Sequence, residues 1–256
     1  MNVDLLDMAR QLVPVVLAAG EIELKYFHAA ADVIDKQDGS PVTLADQEAE
    51  VLIFKALGDI APGIPVVGEE AVAAGHIPDI SGGTFFLVDP LDGTKDFITG
   101  SGGFTVNIAL LKDFIPVMGI ILAPVTGALY YGAESSAFRR SKEGYDTAIT
   151  VRRSPDEGLT VVASKRHGDP ERLKDFLKDR KVARIENYSS SLKFCALAEG
   201  SADFYPRLAP TSEWDTAAGD AILRAAGGRV TTLDGRPLAY GKKDKKFLNP
   251  EFMASA

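Results

Sequence analysis

The feature that most constrains the fold is a change of pattern near residue 150. From residue 104 onward, β-favouring runs are separated only by short turns, at 104–111, 115–122, 128–132 and 137–140. After residue 150, strand-like runs at 160–164, 182–186 and 203–205 alternate with helix-like segments at 170–178 and 192–199. Successive short strands predict an antiparallel meander, and alternation predicts an α/β arrangement. We therefore expect an N-terminal α+β half (1–150) and a C-terminal α/β half (151–256) that pack rigidly together.

Helices are expected at both ends of this pattern. The first thirty residues form an amphipathic stripe, and a second helix over 44–57 is expected to be capped by Thr43, after a turn at 38–41. A last helix over 215–226 should stop at two glycines. The run 84–88 is predicted to end as a strand at Asp89-Pro90, because proline has no N–H for a sheet ladder.

Charge and cysteine content exclude several classes of protein. The net charge is −8, and the 28 lysines and arginines are scattered, which argues against binding a nucleic acid polymer or anionic lipid but leaves a small anionic ligand open. Cys195 is the only cysteine, so an intrachain disulfide and a thiolate zinc site are excluded. Charges in the N-terminal stripe argue against a signal peptide or a transmembrane segment. We expect a cytoplasmic protein, with peripheral association with the inner membrane left open.

The strongest chemical signal is the segment 89–97, with the sequence DPLDGTKDF. It places Asp89 and Asp92 three residues apart where a strand turns into a helix, and a bent backbone there also offers the Leu91 carbonyl. Such oxygen ligands suit Mg²⁺, while the N–H groups of Gly93 and Thr94 at a helix start suit a phosphate. The alternative is an ordinary turn followed by a helix cap.

Three further acidic features accompany this segment. Glu69 and Glu70 follow the apolar run 64–67, Asp215 opens a helix made largely of small residues, and Asp46 lies in the first turn after Thr43. Their alternative interpretations are a solvated loop, an N-cap and a capping pair, respectively.

Other catalytic arrangements have little support. His28, His76 and His167 are isolated, and no two of them share the spacing of metal ligands. Neither a Gly-x-Ser-x-Gly turn nor a Gly-x-x-x-x-Gly-Lys-Ser/Thr loop is present. A serine nucleophile and a P-loop nucleotide site are therefore not expected.

The ordered motifs GEE (68–70), DPLDGTKDF (89–97) and WDTAAGDAIL (214–223) resemble the inositol monophosphatase superfamily of metal-dependent, lithium-sensitive phosphatases. Within it, SSLKFC (190–195), AEG (198–200), YPR (205–207) and LNP (248–250) resemble bacterial CysQ-type 3′(2′),5′-bisphosphate nucleotidases. The likeness extends from about residue 38 to residue 252. It implies a layered αβαβα sandwich, the sugar-phosphatase fold, in agreement with the pattern above.

The resemblance also implies roles for matching residues. Two or three Mg²⁺ ions are expected, one held by Glu69, Asp89 and the Leu91 carbonyl, and a second by Asp89, Asp92 and Asp215. Asp46 and Thr94, together with Glu69, would form the catalytic set that orients and deprotonates water. The amides of Gly93 and Thr94, with Asp92 and Asp215, would contact the substrate.

The implied substrate is adenosine 3′,5′-bisphosphate, a by-product of sulfate activation, hydrolysed to AMP and phosphate, with the related phosphosulfate as a further substrate. Ser191, Lys193 and Arg207 would contact its second phosphate or ribose, although Lys193 and Arg207 could instead lie on a solvated face. Ser189 departs from the glycine expected there, which affects the loop's backbone angles. The alternatives are an inositol-1-phosphate or sugar monophosphate phosphatase and a nucleotide-binding regulatory protein. The resemblance leaves a monomer or homodimer open.

Overall fold

The computed structural model describes residues 4–28, 33–35, 41–164 and 168–256. Its helices are α1 (Leu5–His28), α2 (Leu44–Ile60), α3 (Glu69–Ala73), α4 (Thr94–Ile98), α5 (Pro170–Leu177), α6 (Leu192–Ala198) and α7 (Trp214–Ala225). Its strands are β1 (Val33–Asp35), β2 (Pro41–Thr43), β3 (Val66–Gly68), β4 (Phe85–Asp92), β5 (Thr105–Lys112), β6 (Ile115–Ala123), β7 (Ala128–Ala133), β8 (Ser136–Arg140), β9 (Asp146–Ile149), β10 (Leu159–Ser164), β11 (Val182–Tyr188), β12 (Phe204–Arg207), β13 (Arg229–Thr232) and β14 (Phe252–Ser255). The expected turn at 38–41 and the capping side chain of Thr43 lie outside what the structure describes.

The first large sheet contains the predicted meander. Its strand order is β3-β4-β5-β6-β7-β8-β9, and every pair is antiparallel except β3 with β4. The hairpin between β5 and β6 turns at Asp113 and Phe114, which have φ values of 52° and 61°. Two successive positive φ angles match the twist of the flanking strands, so this turn fixes their register. The strand β9 was not predicted from the sequence.

The second large sheet has the order β11-β10-β12-β14-β13. The strands β10, β11 and β12 run parallel, as the predicted alternation requires, whereas β14 pairs antiparallel with both β12 and β13. The last two strands have four residues each and were not predicted from the sequence.

The two sheets and the helices form five layers, which confirms the predicted αβαβα fold. In β5, Val106, Ile108 and Leu110 face the helices α1 and α2, whereas Ala109 and Leu111 face a second cluster that contains α6 and α7. The far face of the second sheet packs against α5. The largest hydrophobic cluster thus draws residues from both sides of residue 150, and the division at that residue stays a prediction.

The helix α7 lies unusually close to the first sheet. A Cβ atom added at Gly119 of β6 would come within 3.0 Å of the Ala218 backbone, and one at Gly132 of β7 would lie 3.2 Å from the Cα of Ile222. The small residues of α7 therefore serve helix-to-sheet packing. This packing fixes the start of α7 beside the end of β4.

The prediction that this strand ends at Asp89-Pro90 was wrong. The strand continues through Asp89 and Pro90 to Asp92, with a register shift between the pairs Asp89–Asn107 and Asp92–Thr105. A bulge leaves part of the ladder unpaired, so proline is tolerated inside the strand. Among the described residues, no helix is long and apolar enough to cross a membrane.

Candidate metal and phosphate site

The bulge in β4 builds the centre of the site. Asp89 is 1% exposed, and its Oδ1 atom accepts a hydrogen bond of 3.0 Å from the Leu91 N–H. The backbone therefore curls around the Asp89 carboxylate. Because strand pairing resumes at Asp92, both aspartates are fixed by the sheet and not by a free loop.

Gly93 turns the chain from β4 into α4. Its φ angle is 102°, a conformation that side chains rarely adopt, and an added Cβ would lie 3.0 Å from the Gly103 carbonyl oxygen and would also contact Ser190 Oγ. The Gly93 carbonyl accepts the N–H groups of Asp96 and Phe97, which starts the helix. The Thr94 hydroxyl lies 3.4 Å from the Leu91 carbonyl oxygen.

Asp215 reaches the same point from the other side of the molecule. The helix α7 begins one residue earlier, at Trp214, and the Oδ2 atom of Asp215 accepts an N–H from Ser212 at 2.9 Å. Asp215 is therefore not the N-cap, a position that Glu213 occupies. Carboxylate oxygens of Asp89, Asp92 and Asp215 all lie within 4.8 Å of one another.

Glu69 is the first residue of α3 and is half-buried. It lies outside the three-carboxylate group but lines the same cavity, and its charge raises the pKa of both Asp89 and Asp215. Asp46 is 2% exposed and lies outside the described cavity lining, but its charge also contributes to the raised pKa of Asp89.

Sequence reasoning missed Glu50, which holds α3 in place. Its carboxylate accepts N–H groups from Glu70 at 2.9 Å and Ala71 at 2.8 Å, so a side chain of α2 caps the helix that begins with Glu69. Burial is the main cause that raises its pKa, to about 7, and the two N–H donors oppose this rise. A usable signal existed, because an acid four residues after Asp46 lies on the same face of α2.

The clustered carboxylates of Asp89, Asp92 and Asp215 repel one another. Burial is the largest cause of the raised pKa of Asp89, followed by the charges of Glu69 and Asp92. Burial, then the charges of Asp92 and Glu69, likewise raises the pKa of Asp215. Carboxylates packed this closely favour a shared cation, and a donor set made of oxygen atoms suits a hard divalent ion.

Two cationic side chains, Lys193 and Arg207, line the same cavity, and their charges oppose the burial that raises the pKa of Asp92. Lys193 is 4% exposed, and its Nζ donates to the carbonyl oxygens of Ser190 at 2.5 Å and Tyr188 at 3.3 Å. Burial lowers the pKa of Lys193 to about 8, against the opposing charge of Asp92. Arg207 donates to the carbonyls of Ala209 and Pro210 at 3.1 and 2.9 Å. The solvated-face interpretation was wrong for Lys193, because its side chain is buried.

The contact of Ser191 with a second phosphate or ribose stays a prediction, and its side chain does not line the cavity. Ser191 is 2% exposed, and its hydroxyl lies 2.8 Å from that of Thr105 and donates to Asn107 at 2.7 Å, away from the cavity. Its backbone N–H instead donates to the Asp92 carboxylate. Ser189 and Ser190 line the cavity in its place, and the positive φ of this loop, 51°, falls at Ser190.

These groups surround a single cavity of about 480 Å³. Of the predicted site residues, its lining includes Glu69, Asp92, Gly93, Thr94, Lys193, Arg207 and Asp215. Asp89 and Leu91 lie behind this surface and are almost fully buried. The cavity lining therefore combines acidic and cationic side chains, a combination suited to a metal-bound phosphate with a second anionic group.

The layered fold and this cavity define an α/β protein with a cluster of carboxylate oxygens that could hold a metal ion. The model of the inositol monophosphatase family matches residues 4–252, and the chain belongs to this family.

Two bacterial relatives bear the name 3′(2′),5′-bisphosphate nucleotidase CysQ. The protein from Shigella flexneri is 44% identical over 226 residues, which is 88% of this chain and 89% of that protein. The one from Salmonella typhimurium is 42% identical over 249 residues, covering 96% and 98%. The crystal structure of CysQ from Bacteroides thetaiotaomicron, described as a bacterial member of the inositol monophosphatase family, superposes with a TM-score of 0.78. It is 38% identical, with coverage of 97% of this chain and 96% of that one.

Proposed function

We propose that this protein is a Mg²⁺-dependent phosphomonoesterase that hydrolyses adenosine 3′,5′-bisphosphate to AMP and phosphate. The observation that carries the proposal is the cavity itself, whose lining combines the acids Glu69, Asp92 and Asp215 with the cations Lys193 and Arg207. The buried Asp89 completes the carboxylate cluster with Asp92 and Asp215. The names of the two relatives support the substrate class. If the ester phosphate binds at the carboxylates, the second phosphate can contact Lys193 and Arg207.

The metal set follows the oxygen atoms that the site offers. Glu69, Asp89 and the Leu91 carbonyl would hold one Mg²⁺, and Asp89, Asp92 and Asp215 a second, with a third ion left open. When bound, the ions supply Lewis-acid polarisation of the phosphate and a water of lowered pKa. This addition is needed because uncatalysed phosphate monoester hydrolysis is among the slowest biological reactions.

The chain's own groups would position the reactants. Gly93 begins α4 in a conformation that leaves no room for a side chain, so the N–H groups of Gly93 and Thr94 can approach a phosphate oxygen closely. The Thr94 hydroxyl, near the Leu91 carbonyl, would orient the attacking water. Asp46 would accept its proton.

Selectivity for a bisphosphate would come from Lys193 and Arg207. Lys193 is buried and held by two carbonyl oxygens, so its ammonium group is fixed in direction before a ligand arrives. An inositol monophosphate would use the same metals but offers no second phosphate to Lys193 and Arg207. We also propose that the related 3′-phosphoadenosine phosphosulfate is accepted, that lithium inhibits, and that the protein acts in the cytoplasm in sulfur metabolism, as a monomer or homodimer.

The test is phosphate release with Mg²⁺ from adenosine 3′,5′-bisphosphate and from inositol 1-phosphate. We expect the bisphosphate to be preferred, Asp92→Asn to abolish release from both, and Lys193→Met to remove the preference while leaving inositol 1-phosphate turnover nearly unchanged. Asp175→Asn serves as a matched control, because the Asp175 side chain is 76% exposed on α5.

Each other outcome has a defined meaning. A preference for inositol 1-phosphate would retain the metal site and overturn the nucleotide assignment. No release from either compound, with tight binding of the bisphosphate, would favour a nucleotide-binding regulatory protein instead.

A further inference from the structure

The segment 247–250 near the end of the chain, which we call the C-terminal strap, lies against the entry to α7. Phe247 is fully buried, Leu248 pairs with Ser212 in an isolated β-bridge and lines the cavity, and Asn249 is 8% exposed. The sequence motif LNP, which the proposed chemistry leaves without a role, therefore reaches the cavity wall through Leu248.

Asn249 makes an unusual number of hydrogen bonds from one short side chain. Its Nδ2 atom donates to the Ser212 carbonyl at 2.8 Å and to Thr216 Oγ1 at 3.0 Å, and it lies 3.3 Å from Thr211 Oγ1. Its backbone N–H donates to the Thr211 carbonyl at 2.9 Å. Its Oδ1 atom accepts from Lys242 Nζ at 3.3 Å. An amide has two N–H groups and one carbonyl, so this side chain is fully used.

These contacts hold residues on both sides of Asp215 in the sequence. Both backbone groups of Ser212 are held, since its carbonyl accepts from Asn249 and its N–H donates to Asp215 Oδ2 at 2.9 Å. Thr216, the residue directly after Asp215, accepts from the same Asn249 amide. Asn249 thus fixes the residue that directs the Asp215 carboxylate and the residue that follows it.

We propose that Asn249 is a positioning residue that sets the direction of the Asp215 carboxylate for metal binding. The inference rests on the proposed metal site. A neutral donor suits this place, because an acid would add to the repulsion among the three carboxylates and would have no N–H to offer. Groups that orient metal ligands in this way typically change metal affinity or activity by about 10- to 100-fold when they are removed.

The strap has a second anchor that does not involve the Asn249 side chain. Glu213, fully buried, donates its backbone N–H to the Phe247 carbonyl of the strap at 2.8 Å. Its carboxylate also holds the residues before the strap, because it accepts the N–H groups of Gly241 at 2.6 Å and Lys242 at 2.8 Å and lies 2.8 Å from Lys242 Nζ. Loss of the Asn249 amide should therefore leave the strap attached while loosening residues 211–216. A positioning role can be separated from a role in folding for this reason.

The experiment measures Mn²⁺ binding to the full chain by electron paramagnetic resonance, with thermal unfolding of the metal-free protein and Mg²⁺-dependent phosphate release alongside. The variants are Asn249→Ala, Asn249→Asp and the control Asn187→Ala, which changes an exposed asparagine of β11. We expect both Asn249 variants to weaken Mn²⁺ binding by at least about tenfold and to raise the Mg²⁺ concentration for half-maximal activity in parallel. The control should bind Mn²⁺ like the wild type.

The aspartate variant separates hydrogen bonding from packing. It keeps the size of asparagine and adds a negative charge, which by itself would favour a cation, but it removes the donors. If Asn249→Asp binds Mn²⁺ as tightly as the wild type, or if Asn249→Ala only lowers the unfolding temperature, the proposal is overturned. Should the alanine variant not fold, the aspartate variant decides alone. Failure of the wild type to bind Mn²⁺ would instead refute the proposed metal site.

Discussion

Glu23 presents the sharpest stability prediction, because it is a carboxylate in a position that should be apolar. It continues the buried stripe of α1 that contains Leu12, Val16 and Ala19, and it is 0% exposed. Neither of its carboxylate oxygens has a hydrogen-bond partner among the described residues. Burial, with a smaller contribution from the charge of Asp46, raises its pKa well above 4.5.

Replacement of Glu23 by leucine should stabilise the protein. A buried polar group without a partner costs about 1 to 3 kcal/mol, so a gain of about 2 kcal/mol is expected from an apolar side chain of similar size. For a chain of this length, that corresponds to a rise of about 4 to 8 °C in the midpoint of thermal unfolding. Since the folded pKa is raised, the native form favours the proton, and ionisation costs stability as pH rises above about 4.5. The gain should therefore be larger at pH 8 than at pH 5.

The assay is thermal and urea unfolding of the metal-free protein at pH 5 and pH 8. Glu21→Leu is the matched control, because Glu21 lies two residues away on the same helix and is exposed. It should change stability little at either pH. A Glu23→Leu protein that is less stable than the wild type, or equally stabilised at both pH values, would refute the reasoning. Glu23→Gln should recover only the part of the gain that depends on charge.

Further predictions concern the site. Gly93→Ala should cost at least about 1 to 2 kcal/mol in urea unfolding, because φ is 102° and the added methyl group would meet Ser190. Since the pKa of Lys193 is about 8, the KM for the bisphosphate, measured from initial rates, should rise as pH passes through 8. The KM of the Lys193→Arg variant should show no such rise. The raised pKa of Glu50, about 7, means that its stabilising contribution is complete below about pH 4.5 and is lost as pH rises towards 7, so Glu50→Gln should flatten that part of the thermal stability profile. Asp215→Asn should raise the unfolding temperature of the metal-free protein and remove most of the stabilisation by added Mg²⁺, measured by calorimetry.

Most of the fold could be predicted because its hydrophobic patterns are local. The strands β5 to β8 are runs of β-favouring residues separated by short turns, and this local pattern identified each one. The strands β13 and β14 could not be found in this way. They are short, and the pairing of β14 with β12 and β13 depends on contacts between residues far apart in sequence.

The end of β4 shows a different limit. Pro90 is a correct signal for a local interruption of the ladder, but sequence alone does not distinguish the end of a strand from a bulge. The distinction matters here, because the bulge keeps Asp92 paired with Thr105 and so holds both aspartates on one rigid element.

The candidate site was predictable only for residues that carry charge in a recognisable order. Glu69, Asp92 and Asp215 could be named and do line one cavity. Glu50 and Asn249 were not named, because they act by hydrogen bonds to the backbone of other elements, and the direction of such bonds is set by the tertiary structure. Only the position of Glu50 on the same face of α2 as Asp46 offered a signal.

The acidic cluster also explains why backbone amides recur around it. Carboxylates that repel one another would turn away in the absence of a cation unless their directions are restrained. The Leu91 N–H restrains Asp89, and the Ser212 N–H restrains Asp215. Glu50 of α2 restrains the start of α3, which carries Glu69. Leu91 and Glu50 belong to a strand and a helix, and Ser212 is held by a β-bridge to Leu248, so the cost of holding like charges together is offset by the packing of the fold and not by the ligand. Metal affinity in this protein should therefore depend on residues that never touch the ion.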